Sequence, residues 1–169
     1  MTSSALDHAP PRAGLGALLL SIVVTTVAAG SAAYASRTSA AFYALLDKPA
    51  WAPPAWLFGP VWSTLYLFMA IAAWRVWRAA GWRRARGALA MYALQLVLNA
   101  LWTWVFFAWR NGPWATAEVL TLWGGIVVTL LAFRRHDRPA AALLAPYLAW
   151  VSFASALTIA VWQRNPGLL

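Results

Sequence analysis

The 169-residue chain has no cysteine, two histidines and four acidic side chains. The first absence removes any disulfide framework and any thiolate metal site. The histidines, His8 and His136, lie outside the apolar stretches, so no metal or haem iron would find an imidazole cluster there, and no metal site is expected. The four acids are scattered along the chain and form no carboxylate dyad, and no nucleophile–base pair or phosphate loop occurs. Charged residues make up only 10% of the chain against 63% hydrophobic ones. A soluble globular domain is excluded by that balance.

What the chain does have is apolar length. Five stretches, at about 14–35, 54–77, 87–109, 114–133 and 140–162, each reach the roughly 20 residues a helix needs to cross a bilayer. The expected fold is an all-α membrane protein, a single five-transmembrane-helix bundle over residues 14–163. A polar lead, 1–13, is expected to be flexible, and the first stretch is read as a retained span because a tight Lys-Pro-x-Trp-x-Pro-Pro segment follows it. Residues 36–53, with Phe42, Tyr43, Leu45, Leu46 and Trp51, are too apolar for a solvated tether and are expected to pack across the bundle mouth as a lid. The other connections are short: an arginine-rich turn at 78–86, the stop-and-restart signal Asn111-Gly112-Pro113, and His136-Asp137-Arg138-Pro139.

The formal charge of +9 has a topological explanation. Nine basic residues, among them Arg75, Arg78, Arg83, Arg84, Arg86, Arg134, Arg135 and Arg138, fall on one set of connections. Four, Arg37, Lys48, Arg110 and Arg164, fall on the other. The positive-inside bias then puts the N-terminus in the cytoplasm, in a bacterial inner membrane, with an outer membrane as the alternative. A nucleic-acid partner is not needed to explain the excess; the lipid bilayer is the expected partner.

Thirteen tryptophans divide by position. Trp74, Trp77, Trp82, Trp109, Trp114 and Trp162 lie near span ends, where indoles anchor at the membrane interface. Others fall in mid-span on helical stripes. Trp62, Tyr66 and Met69 share one face of the second span; Gln95, Asn99, Trp102 and Phe106 share one face of the third. Pro146, Trp150 and Phe153 or Ala154 mark a stripe on the fifth. Lipid cannot satisfy an amide, so these faces turn inward. Two readings remain open here: interhelical packing with the amides as glue, or an aromatic-walled cavity. Glu118, the one acid inside a span, sits about a turn inside the fourth, where a helix dipole tolerates it. Small residues on spans one and three (Ala29, Ala33, Gly87, Ala90) suit a homodimer.

Three runs together carry a resemblance. These are Tyr43-x2-Leu46-x-Lys48-Pro49-x-Trp51-x-Pro53-Pro54 with Phe58, Trp62 and Leu65-Tyr66; Gln95-x3-Asn99-x2-Trp102-x3-Phe106-Phe107; and Pro146-Tyr147-x2-Trp150-x2-Phe153-Ala154. Over residues 15–165 the chain resembles the translocator protein / tryptophan-rich sensory protein family (TspO/MBR). The resemblance implies a five-helix bundle, often dimeric, with a cavity beneath the first long loop, binding protoporphyrin IX, haem and related tetrapyrroles. It implies a role in sensing, sequestering or transporting porphyrin intermediates, with no required cofactor. By the resemblance, Trp51, Tyr66, Asn99, Trp102, Phe106, Trp150 and Ala154 are pocket positions; Trp62, Gln95 and Phe153 join them as candidate ligand-binding residues. A light-dependent oxidation of protoporphyrin, proposed for the family, would make Trp62 and Trp150 catalytic. The chain departs from the family near its end, reading Leu157-Thr158-Ile159 where Leu-Asn-Tyr is frequent. The sterol motif therefore lacks its Tyr, and a lipid or sterol translocator stands only as an alternative.

Overall fold

The computed structural model describes residues 14–169; the 1–13 lead lies outside them. Four helices among the described residues are long and apolar enough to cross a membrane. They are α1 (Leu15–Ala35), α3 (Phe58–Thr103, entered by a short 3-10 turn, Ala55–Leu57), α4 (Gly112–Arg134) and α5 (Arg138–Arg164). A short helix, α2 (Ser39–Leu45), lies between α1 and α3.

The longest helix is two crossings. At Gly81 the backbone turns to φ 70°, ψ 159°, a region that only glycine occupies without strain. Tyr66 bonds Asn99 and Met69 meets Gln95, pairs set almost evenly about that glycine. On a straight helix, 33 residues would hold the first pair ~50 Å apart. α3 is therefore a hairpin of two antiparallel arms, and with α1, α4 and α5 it makes an all-α membrane protein of five crossings. The expected arginine-rich turn at 78–86 is corrected here. Those residues are helical on both sides of the one break, because Ala, Arg and Trp all sustain a helix and Gly81 alone offers the reversal.

At the far end of the second arm the helix widens into a π turn (Trp104–Ala108), with the Trp109 amide donating to the Trp104 carbonyl. Arg110 then takes φ 52°. The left-handed residue that ends this helix is thus Arg110; Gly112 instead forms the start of α4. Gly112 is small for a packing reason, since a Cβ there would run into the Trp162 indole. Asn111 caps α4 by accepting the Trp114 amide (3.1 Å). Asp137 caps α5 by accepting the Ala140 amide (2.8 Å) and pairs with Arg75 at 3.1 Å, tying the α4–α5 link to the first arm. These caps satisfy amides that lipid cannot.

The core is apolar and aromatic, with Met69, Leu96, Ile126, Phe133, Leu144 and Tyr147 fully enclosed. α1 is the least embedded crossing: Leu19, Leu20, Val23 and Val27 face outward. Its inward stripe is polar. Thr25 shares a hydrogen bond with the Tyr92 hydroxyl (2.7 Å), and Ser31 accepts from the Trp104 indole (3.2 Å).

Candidate ligand cavity

Beneath α2 the two arms of α3 and the end of α1 enclose a cavity of about 410 Å³. The first arm supplies Phe58, Gly59, Trp62, Ser63 and Tyr66 to it. The second arm and its π turn supply Trp102, Thr103 and Phe107; α1 supplies Ala29, Ala32 and Ala33; and the lid supplies Ser39, Ala40 and Tyr43. Its size falls within the roughly 300–1,000 Å³ of small-molecule sites.

Three of the sequence candidates stand on this wall: Trp62, Tyr66 and Trp102. Trp62 leans on Tyr66 with centroids 5.6 Å apart and meets Tyr147 edge-on at 6.1 Å. The Tyr66 hydroxyl donates to Asn99 Oδ1 at 2.6 Å. Trp102 stacks on Phe106 (5.4 Å, 18°), and Phe106 in turn meets Phe42 of the lid. Phe106 and Asn99 therefore back the wall and set the orientation of the rings that form it.

The remaining candidates lie elsewhere. Gln95 is wholly buried between helices, accepting from the Tyr147 hydroxyl (2.9 Å) and donating toward Met69 Sδ (3.8 Å). That is the interhelical role. Trp150, Phe153 and Trp51 form a second aromatic group: Trp51 packs on Phe153 at 5.7 Å, and Phe153 on Trp150 at 5.5 Å. Trp150 reaches Phe58 at 5.9 Å, so this group abuts the cavity through the Phe58 ring. Ala154 is half-buried on α5, away from the wall. The cavity residues that sequence reasoning missed are mostly small ones: Ala29, Ala32 and Ala33 of α1, Ser39 and Ala40 of the lid, and Gly59, Ser63 and Thr103 of α3. Their small size was a signal, but it reads equally as close helix approach.

The polar character of the site is set by donors. Trp102 Nε1 and Asn99 Nδ2 are buried with no hydrogen-bond partner among the described residues, as is Trp150 Nε1. Asn99 is only 1% exposed and Trp102 9%. An unmet buried donor costs about 1–3 kcal/mol, so a molecule offering acceptors to these N–H groups gains from them.

The lid is fastened by named bonds. Asn165, just past α5, accepts the Asp47 amide at 2.9 Å and donates to the Asp47 carbonyl at 2.8 Å. Lys48 Nζ donates to the carbonyls of Tyr43 (2.7 Å) and Leu46 (2.8 Å). Tyr43 donates to the Pro53 carbonyl at 2.9 Å; burial raises its phenol pKa, which keeps it a donor. The Arg110 guanidinium covers the Phe42 ring at 4.6 Å.

A second hollow of about 490 Å³ lies between the π turn and the start of α4, lined by Leu101, Val105, Trp109, Trp114 and Glu118 among others. Both Glu118 oxygens are sealed without a partner, so its carboxyl presents nothing to that hollow.

Comparison with known proteins agrees with this architecture. The TspO/MBR family model matches residues 17–163. The chain is 38% identical over 152 residues to the tryptophan-rich protein TspO of Chlorobaculum tepidum, covering 89% of this chain and 95% of that one. It is 41% identical over 128 residues to the translocator protein of Homo sapiens (75% and 76%). It is 40% identical over 124 residues to the tryptophan-rich sensory protein of Cereibacter sphaeroides (73% and 77%).

Proposed function

We propose that this chain, which belongs to the TspO/MBR family, is an integral membrane protein that binds tetrapyrroles of the protoporphyrin IX or haem type and senses, sequesters or transports them. One observation carries the reading: the cavity under the lid has indole and phenol walls together with a buried indole N–H, that of Trp102, which lacks a partner among the described residues. A flat macrocycle gains offset stacking from such walls, on the order of 0.5–1.5 kcal/mol per ring pair beyond its area burial. Its carboxylate edge is an acceptor for Trp102 Nε1. The residues present fit a porphyrin held by stacking and hydrogen bonding. No His or Cys lies on the wall, and its phenols, Tyr43 and Tyr66, are engaged as donors to Pro53 and Asn99.

A second reading rests on Trp62 and Trp150. The first is on the wall, and the second is one ring removed through Phe58. In this reading an indole gives an electron to the photoexcited bound pigment, which passes it to dioxygen as superoxide. The indole cation radical then takes an electron back from the porphyrin, and the porphyrin cation radical combines with superoxide, so that protoporphyrin is oxidised with dioxygen as oxidant. We further propose a homodimer, through the exposed Gly87 and Ala90 on the second arm, and an inner-membrane orientation with the arginine-rich Gly81 end in the cytoplasm.

The test is titration of the purified full chain in detergent with protoporphyrin IX, read by tryptophan fluorescence. Saturable quenching is expected, weakened by Trp62→Phe with Trp150→Phe. In Trp102→Phe the lost N–H should weaken it further by about 0.5–1.5 kcal/mol. Unsaturable quenching, equal in an unrelated tryptophan-rich membrane protein, rejects binding. Under illumination, conversion of the bound pigment to a discrete product, stopped in the double variant, favours the photo-oxidase; bleaching at the free-pigment rate counts against it.

A further inference from the structure

The cavity is held shut on one side and thin on another. The lid is latched to the end of α5 by the two Asn165–Asp47 bonds, while the Lys48 and Tyr43 bonds hold its own fold together. Between α1 and the first arm of α3, the wall consists of Ala29, Ala33, Gly59 and Ser63. Of the lining residues, Ala33, Gly59 and Ser63 are exposed, and so are Ala40 of α2 and Ala55 of the turn before the first arm. The open side of the cavity is therefore bounded by the end of α1, the start of the first arm and the edge of α2 next to them.

The polar ties of α1 explain why this seam is weak. Its Thr25–Tyr92 and Ser31–Trp104 bonds both run to the second arm and its π turn. Among the described residues, no side-chain hydrogen bond joins α1 to the first arm. Four small side chains then leave the two helices without bulk to close the gap.

The depth of the seam follows from its flanking aromatics. Tyr34, 60% exposed, ends α1, and Trp56, 71% exposed, precedes the first arm. Outward-facing Tyr and Trp at helix ends sit at headgroup level. Ala33 and Gly59 lie within ~5 Å of those aromatics along their helices and Ser63 ~10 Å further in, at ~1.5 Å per residue. The gap therefore starts at the headgroups and runs down among the acyl chains.

We infer that ligands reach this cavity sideways from the bilayer, through the seam between α1 and the first arm of α3, and not through the latched lid. The molecules admitted are those that already partition into the membrane; charged, water-borne ones are excluded. The inference rests on the cavity being a ligand site, yet its test needs no tetrapyrrole.

The absence of cysteine provides that test. Thr103 is buried and lines the cavity, so Thr103→Cys in the full chain, reconstituted in vesicles, reports access. N-(1-pyrenyl)maleimide, which dissolves in the bilayer, should add to the thiol, while a charged sulfonated methanethiosulfonate should not. Adding Ala33→Trp should slow the pyrene reaction about tenfold, equal to ~1.4 kcal/mol of barrier; Asn165→Ala should leave it unchanged. Should Ala33→Trp fail to fold, Ser63→Trp fills the same gap from the facing wall. Labelling by the charged reagent that Asn165→Ala accelerates would establish the lid route and overturn the inference. An unchanged rate in the filled-seam variant, or no reaction with the pyrene reagent, overturns it equally. Failure of protoporphyrin to bind would leave this labelling pattern standing, so the two ideas fall separately.

Discussion

Gly81 and Gly112 are both glycines at helix boundaries, and they are needed for different reasons. Gly81 is a backbone requirement: its φ and ψ belong to the glycine-only region, and a Cβ there would meet no atom within 4 Å. Gly81→Ala should therefore cost about 1–3 kcal/mol from backbone strain without any steric clash, seen as a lower thermal midpoint in detergent. An unchanged midpoint would mean that the hairpin bends by some other means. Gly112 has an ordinary helical position, and only the Trp162 indole forbids a side chain there. Residue type in both cases is fixed by one local fact. Asn99 shows the same economy: its side-chain carbonyl oxygen is used by Tyr66, and its amide nitrogen has no partner among the described residues.

At the level of elements, the lid depends on a contact far away in sequence. Asn165 bonds Asp47 across 118 positions, so the stretch after α5 holds the stretch after α1. The ion pair between Arg164 and Asp47, 3.7 Å and well exposed, adds little beside those two bonds. Asn165→Ala removes both, and hydrogen exchange at 39–47 should speed about five- to thirtyfold, on the order of 1–2 kcal/mol. If protection there does not change, the lid is held by Phe42, Tyr43 and Leu46 packing alone. The lid's composition, apolar with Asp47 and Lys48 at its end, shows that it packs; the partner that fastens it has no local signature. The π turn is similar. Nothing in Trp104–Ala108 distinguishes it from an α-helix by sequence, yet it directs Phe107 into the cavity while Val105 and Trp109 face the other side.

On the scale of the whole molecule, five crossings put the two ends of the bundle on opposite faces of the membrane. In oriented vesicles, single cysteines at Gly16 and Gly167 should be labelled by an impermeant thiol reagent from opposite sides. Labelling of both from one side would remove a crossing and with it the α3 hairpin. The arginines gather at the Gly81 end, where Arg75 pairs with Asp137. The lid, the cavity and the seam gather at the other end. The arginine-rich end and the cavity thus lie at opposite ends of the bundle.

Apolar runs of bilayer length determine by themselves that this chain crosses a membrane five times, because backbone amides in lipid have no alternative to a helix. Helical spacing also puts Trp62 and Tyr66 on one face, and Trp102 on the face shared with Asn99. Which faces meet is a tertiary matter. Gln95 and Asn99 are four residues apart on the same stripe, yet one is spent on Tyr147 and the other backs the cavity. Trp150 and Trp62 look equivalent in sequence, and only the second lines the hollow. Packing decides these outcomes because a side chain's partner depends on the angle and height at which another helix arrives. Those are fixed by Gly81, Arg110 and small residues such as Ala33, whose effect is felt where the chain comes back together.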